Sequence, residues 1–176
     1  ALSEFGKKVL LVDGNFSAPN LGIHLNILNP EKHMHHVMER AINPKEAVHN
    51  LDNFDVIPAD VHGDIVKNPL KLRDRLKNLK RSYDYVLIDS SPALNEETLA
   101  TMLASDHLFV VTTPDYATLS MTLKAIKLAQ QRGTRIDGLI LNRVYDKDFE
   151  LSLEDIEKTS EVPVLAVVPH DVSVPE

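Results

Sequence analysis

The stretch 84-DYVLIDSSP-92 carries an aliphatic run that ends at Asp89 and is followed, two residues later, by Ser91 and Pro92. In doubly wound α/β proteins, the carboxyl ends of buried strands open into a crevice where metals and nucleotides bind. The stretch therefore predicts a strand that ends at a ligand site. It also raises the question of which phosphate or metal Asp89 would face.

Five further aliphatic runs are typical of strands, and most of them lack polar alternation, which predicts strands covered on both faces. Leucine and isoleucine at helical spacing predict helices over 72–79 and 119–126. Strands that alternate with helices indicate a three-layer α/β/α fold with one mainly parallel, doubly wound sheet, in a single domain over residues 1–176. The five runs are 8-KVLLVD-13, 54-FDVIPA-59, 107-HLFVVTT-113, 136-IDGLILN-142 and 164-VLAVVP-169.

The composition excludes several classes of protein. The chain has no cysteine, which rules out iron–sulfur clusters, thiolate zinc sites and cysteine nucleophiles. Its formal charge of −7 does not favour a nucleic-acid-binding surface. No run approaches the ~18 apolar residues of a membrane-spanning helix, and no signal-peptide pattern is present, so we expect a cytoplasmic protein.

Polar residues follow three of the predicted strands. Asp13 precedes the loop 14-GNFSAPN-20, Asp89 precedes two serines, and Asn142 leaves its strand beside Arg143. The carboxyl ends of parallel strands meet at one edge of a sheet, so we expect these side chains to converge. Carboxylates suit a metal, and a side-chain amide suits the edge of a purine. Each residue also has a structural interpretation, as a turn-forming or strand-end residue.

In these motifs, the chain resembles the MinD/ParA family of deviant Walker ATPases. The segments 7-KKVLLVDGNFSAPNLGIHL-25 and 84-DYVLIDSSP-92 are similar to the family's switch I and to its Walker B strand with switch II. The likeness extends over essentially the whole chain, and it is closer to MinD than to plasmid ParA. Three further segments resemble the family's fourth-strand turn, its adenine-contacting strand and its last nucleotide-pocket loop: 110-VVTTPDYATLS-120, 139-LILNRV-144 and 164-VLAVVPHDVSV-174.

The resemblance implies ATP or ADP and Mg²⁺ as cofactors. It assigns Asp89 to the metal, through a water molecule, and Asp13 and Asn15 to catalysis. Family members commonly carry a second carboxylate where this chain has Asn15, and an amide cannot accept a proton, so we expect slow hydrolysis. The resemblance assigns nucleotide binding to five residues: Asn142, Arg143, Pro169, His170 and Asp171.

The family's glycine-rich phosphate loop has no counterpart here, because the chain contains no G-x-x-x-x-G-K-[ST] pattern. We expect that loop and its strand to lie before Ala1, and the domain to be truncated at both ends. The alternative is a scaffold or nucleotide-binding protein of the same fold that does not hydrolyse ATP. That alternative would leave unpaired strand edges in the sheet.

The resemblance also implies partners and a role. We expect a nucleotide-dependent homodimer that acts with a regulatory protein to position machinery in cell division or chromosome partitioning. A membrane surface, reached through a C-terminal amphipathic segment after Glu176, is a further expected partner. The histidine cluster 33-HMHH-36 lacks metal-ligand spacing, and we expect it on a solvated or partner-facing surface.

Overall fold

All six aliphatic runs form strands in the computed structural model, which describes residues 1–145 and 150–174. The sequence did not predict the short β2. In chain order the strands are β1 (Val9–Asp13), β2 (His49–Asn50), β3 (Asp55–Ile57), β4 (Tyr85–Asp89), β5 (Leu108–Thr112), β6 (Ile136–Val144) and β7 (Val164–Pro169).

Helices separate most of the strands. The predicted leucine stripes are confirmed, since Leu72, Leu76, Leu119 and Ile126 are buried. No helix in the described part of the chain is long and apolar enough to span a membrane. The α-helices are α1 (Leu21–His24), α2 (Met34–Met38), α3 (Leu72–Leu76), α4 (Glu96–Ala104), α5 (Tyr116–Gln131) and α6 (Leu153–Ser160), and 3₁₀ turns lie at Leu2–Phe5, Pro44–Ala47 and Pro69–Lys71.

The chain divides into two units, Ala1–Ser105 and Asp106–Glu176. The first unit holds a four-stranded sheet in the order β2-β3-β1-β4, in which β1 runs parallel to β3 and β4, and β2 runs antiparallel to β3. Its core is built from strand residues such as Leu10 and Ile57 and from residues of α2, α3 and α4. Burial of this apolar surface, at about 25 cal/mol per Å², is the main force that fixes β1 in the centre of the unit.

The second unit holds a three-stranded parallel sheet in the order β5-β6-β7. Leu139 and Leu141 of β6 pack against Leu119 and Ile126 of α5 and against Ile156 of α6. Each helix begins at a side-chain cap that satisfies backbone N–H groups of its first turn. The caps are Asp115, which accepts from the Thr118 N–H, and Ser152, which accepts from the Asp155 N–H.

The pairing differs from the single sheet that we expected. Among the described residues, the strands form two sheets, and β4 and β5 are each hydrogen-bonded to one neighbour only. The expected burial on both faces is wrong for three strands, whose exposed side chains are Tyr85 and Leu87 in β4, Phe109 and Val111 in β5, and Leu165, Val167 and Val168 in β7. A strand with one neighbour lacks the adjacent side chains that would cover it. The assignment of both units to one domain stays a prediction.

Candidate functional site

Two carboxylates lie side by side at the carboxyl edge of the first unit's sheet. Asp13 ends β1, Asp89 ends β4, and the two residues are register partners in a parallel pair. Neighbouring strands lie about 4.8 Å apart, so register partners are close neighbours. The structure thus brings together the two aspartates that the sequence predicts at one edge. Asp13 is fully buried, whereas Asp89 is exposed.

The Asp13 carboxyl is in an electrostatically unfavourable position. Its Oδ1 accepts a hydrogen bond from the Asn15 N–H at 3.1 Å, but its buried Oδ2 has no hydrogen-bond partner among the described residues. Burial, with a smaller effect from the charge of Asp89, raises the pKa of Asp13 from 3.8 to about 6. The backbone N–H groups of Leu21 and Ala59 oppose this rise without forming a hydrogen bond to Oδ2. A cation or a hydrogen-bond donor placed at Oδ2 would therefore stabilise the ionised Asp13 carboxylate.

This pair of carboxylates fits a magnesium ion. Mg²⁺ prefers oxygen ligands and usually keeps several waters, so that one or two carboxylates suffice when phosphate oxygens supply the rest. The described residues contain no group of three or more His, Cys, Asp or Glu side chains that could hold a metal by themselves. Although the Asp89 side chain is accessible, partial desolvation by its surroundings raises its pKa, so a nearby cation would favour its charged form. The donor set therefore matches an ion shared between protein and phosphate.

Gly14 allows the loop after β1 to lie directly against β4. Its N–H donates to the Asp89 carbonyl oxygen at 2.8 Å. A Cβ atom at this position would lie 2.6 Å from Thr101 Cγ2, 2.8 Å from the Asp89 carbonyl oxygen and 2.9 Å from Ile88 Cγ2. These distances are shorter than real carbon contacts, so only glycine fits without a shift of the backbone. The loop 14–20 is thereby tied to the end of β4.

Asn15 is buried, and its side chain supports the loop itself. Its Nδ2 donates to the Ala18 carbonyl oxygen at 2.7 Å, while its backbone N–H donates to Asp13 Oδ1 in an Asx turn. A carboxylate at this position could not donate to Ala18. The role of Asn15 in catalysis stays a prediction, and the structure gives its amide a second task that the sequence did not suggest.

A buried carboxylate that the sequence patterns did not indicate lies beside the same loop. Glu97, in the first turn of α4, accepts hydrogen bonds from the Ser17 N–H at 3.2 Å and from the Ser17 hydroxyl at 2.5 Å. Asn95 caps this helix and accepts from the Glu97 and Thr98 N–H groups. Asn95 followed by two glutamates is a recognisable helix start. Nothing in the sequence indicates that Ser17, 80 positions away, would contact it.

The prediction that the histidine cluster lies on a solvated or partner-facing surface is wrong for His33 and His35. His33 and His35 are 7% and 4% exposed, and the His33 ring lies 5.4 Å from His35 and 3.8 Å from His36. His35 accepts from the Asp60 N–H at 3.3 Å through Nδ1 and packs edge-on against Phe16 of the loop. Burial lowers the pKa of His33 and His35, which favours neutral rings. The cluster is therefore part of the packing beneath this loop.

The remaining predicted site residues lie in the second unit. Asn142 and Arg143 are the seventh and eighth residues of β6. Arg143 adopts a left-handed backbone with φ of 56°, and its N–H donates to Asn142 Oδ1 at 3.0 Å. The Oδ1 acceptor of the Asn142 amide is thus engaged locally.

Pro169 and His170 line a cavity of about 680 Å³ within the second unit. The His170 ring stacks on Tyr145 at 4.2 Å with an interplanar angle of 24°, and the His170 N–H donates to the Val144 carbonyl oxygen. Asp171 does not line this cavity. Its Oδ1 accepts from both the N–H and the hydroxyl of Ser173, and these bonds lower the pKa of Asp171.

Known proteins resemble this chain over most of its length. A family model described as an AAA domain matches residues 1–137. The crystal structure of the cell division ATPase MinD from Pyrococcus furiosus superposes with a TM-score of 0.88 at 33% identity, covering 97% of this chain and 73% of that one. The chain belongs to the MinD/ParA family of P-loop ATPases. The predicted fold class is confirmed: the chain is an α/β protein of the P-loop NTPase type with mainly parallel strands.

Two further proteins are similar over nearly all of this chain. MinD from Pyrococcus horikoshii, solved with Mg-ADP, is 31% identical, with a TM-score of 0.88 and coverage of 97% of this chain and 72% of that one. An ATP-binding protein of uncharacterised function from Methanocaldococcus jannaschii is 33% identical over 174 residues, covering 97% of this chain and 66% of that protein. The chain spans about two thirds of the length of this curated relative.

Proposed function

We propose that this protein binds ATP with Mg²⁺, hydrolyses it slowly and works as a nucleotide-dependent homodimer. The observation that carries the proposal is the pair Asp13 and Asp89, in register at one strand edge, with a buried carboxylate oxygen that lacks a partner. The MinD of P. horikoshii was solved with Mg-ADP, and it is 31% identical in sequence to this chain. Both findings support a nucleotide–metal site.

In this proposal, Asp89 holds Mg²⁺ through a water molecule, and its exposure supports that role. The ion, when bound, supplies positive charge to the phosphate oxygens. Asp13 supplies negative charge next to the attacking water. Asn15 stabilises the loop that follows Asp13, through its bonds to Asp13 and Ala18. Phosphoryl transfer depends mainly on positioning and electrostatics, so a site without a second carboxylate at position 15 still supports slow turnover.

Purine recognition is proposed for the second unit. The Asn142 NH₂ group is a donor for a ring nitrogen, and the stacked Tyr145 and His170 provide flat surface beside an apolar cavity. Pro169 contributes to the lining of that cavity. Arg143 and Asp171 remain proposed members of the nucleotide pocket, which the resemblance assigns to them.

The cellular role rests on the family alone. We propose that the ATP-bound dimer acts with a regulatory protein, in the cytoplasm or at a membrane surface, to position machinery of cell division or chromosome partitioning. A scaffold that binds nucleotide without hydrolysing it is the competing function. The local use of the Asn15 amide favours it over fast hydrolysis.

Magnesium-dependent ATP binding and turnover by the intact protein test the proposal. Isothermal titration is expected to show binding that needs Mg²⁺ and weakens in Asp89→Asn, whereas Asp13→Ala is expected to reduce kcat with little change in affinity. Binding without turnover would support the scaffold. The absence of Mg²⁺-dependent binding in the intact protein would refute the nucleotide site.

A further inference from the structure

Glu97 is buried in a way that a helix start does not require. An acidic side chain in the first turn is favoured by the partial positive charge of the helix N-terminus, and an exposed side chain gains this benefit. Glu96 precedes Glu97 in the same turn of α4 and is exposed, whereas Glu97 is 8% exposed. A carboxylate removed from water needs hydrogen-bond donors. Its position therefore has a cause other than the helix dipole.

That cause is Ser17. Both hydrogen bonds that the described residues give to the Glu97 side chain come from Ser17, one from its N–H and one from its hydroxyl. Bonds to an ionised acceptor are about twice as strong as neutral ones. Two bonds from one residue also fix its orientation. Glu97 thus fixes the middle of loop 14–20 at Ser17. Ser17 lies two residues after Asn15 and four after Asp13.

The same helix also holds the loop that follows β4. Thr98 donates through its hydroxyl to the Ser91 carbonyl oxygen at 3.1 Å, and the hydroxyls of Thr101 and Ser90 lie 2.9 Å apart. The first two turns of α4 therefore contact both loops that begin at the paired aspartates. A shift of one loop would act on the other through this helix.

We propose that Glu97 is a positioning residue that holds loop 14–20 in the geometry in which Asp13 can act. It works through Ser17, whose N–H and hydroxyl it binds. The inference rests on the proposed ATP hydrolysis for its kinetic consequence. Its structural part, the restraint of the loop by Glu97, stands by itself.

The test compares Glu97→Gln with Glu96→Gln in the intact protein. Glutamine at 97 keeps the shape but loses the charge and one acceptor, so kcat for Mg-ATP is expected to fall about tenfold. KM should change less than about twofold, because substrate contacts remain. Glu96→Gln has the same chemistry on an exposed neighbour and should leave both constants unchanged. Ser17→Ala should match Glu97→Gln, and Ser17→Thr should restore most of the rate because it retains both donors.

A double variant and hydrogen exchange complete the test. Ser17→Ala combined with Glu97→Gln should lose no more than the worse single variant, because both remove one interaction. Amide exchange of residues 15–18, measured without nucleotide, should accelerate in Glu97→Gln and not in Glu96→Gln. Unchanged exchange, additive kinetic losses, or an equal effect of Glu96→Gln would overturn the inference. If the wild type neither binds nor hydrolyses ATP, the proposed function fails, while the exchange experiment still decides the role of Glu97.

Discussion

Asp13→Asn is expected to stabilise the protein while it impairs function. The Asp13 side chain is fully buried and its pKa is raised to about 6, so at neutral pH the fold holds an ionised carboxylate that it would prefer protonated. One pKa unit corresponds to about 1.4 kcal/mol, and a rise from 3.8 to about 6 therefore lowers the stability at neutral pH by up to about 3 kcal/mol. Asparagine has nearly the same shape and removes this cost.

The effect of Asp13→Asn on the free energy of unfolding depends on pH. The pKa of Asp13 is higher in the folded than in the unfolded chain, so its favourable contribution is complete below about pH 4 and is lost as the pH rises through about 6. The advantage of Asp13→Asn should therefore be near zero at about pH 4 and should grow to a plateau above about pH 7. Asparagine Oδ1 can still accept from the Asn15 N–H, so the loop should keep its turn.

Urea unfolding of the intact protein without nucleotide, followed by circular dichroism across this pH range, measures the effect. Asp52→Asn, which changes an exposed aspartate in the same unit, is the matched control and should shift stability by no more than a few tenths of a kcal/mol. If Asp13→Asn destabilised the protein equally at both ends of the pH range, the reasoning from burial would be refuted. Turnover of ATP by Asp13→Asn should fall in the same preparation.

Three further outcomes are expected. Gly14→Ala should cost about 1–3 kcal/mol of unfolding free energy in a denaturation experiment, because its Cβ would overlap neighbouring atoms, and a neutral result would contradict the tight packing. Asn15→Asp should lower kcat in steady-state assays, because a carboxylate would face the Ala18 carbonyl oxygen; a faster enzyme would instead show that the missing carboxylate limits turnover. Burial lowers the pKa of His33 and His35, so their neutral forms stabilise the fold above pH 6.5 and this contribution is lost as the pH falls below it. Unfolding midpoints of the wild type should drop with acid relative to the variant with glutamine at both positions, and parallel curves would count against buried neutral rings.

Local patterns predicted the strands and the paired aspartates because the information lies within a few residues. An uninterrupted aliphatic run that ends at Asp13 or Asp89 identifies both the strand and its carboxyl end. The order of strands and helices then places both ends at one edge. These steps need no knowledge of which side chains meet in space.

Contacts between residues that are distant in sequence could not be predicted from local patterns. The bonds between Ser17 and Glu97 join residues 80 positions apart. The sequence around Ser17 is that of an ordinary loop, and the sequence around Glu97 is that of an ordinary helix start. Phe16 and Asp60 contact the buried His35, and no spacing rule connects them to it. The division into two hydrogen-bonded sheets depends on which strands pair, and aliphatic runs do not encode their neighbours.

The strand edges of the two sheets also bear on solution behaviour. β4 and β5 each leave one row of backbone N–H and C=O groups without a strand partner among the described residues, and their exposed side chains include Tyr85, Leu87, Phe109 and Val111. Such an edge is a template for any extended peptide, including the same strand of another molecule. A further strand placed against either edge would pair these backbone groups and cover part of these side chains, so the two edges are where the fold can accept another strand.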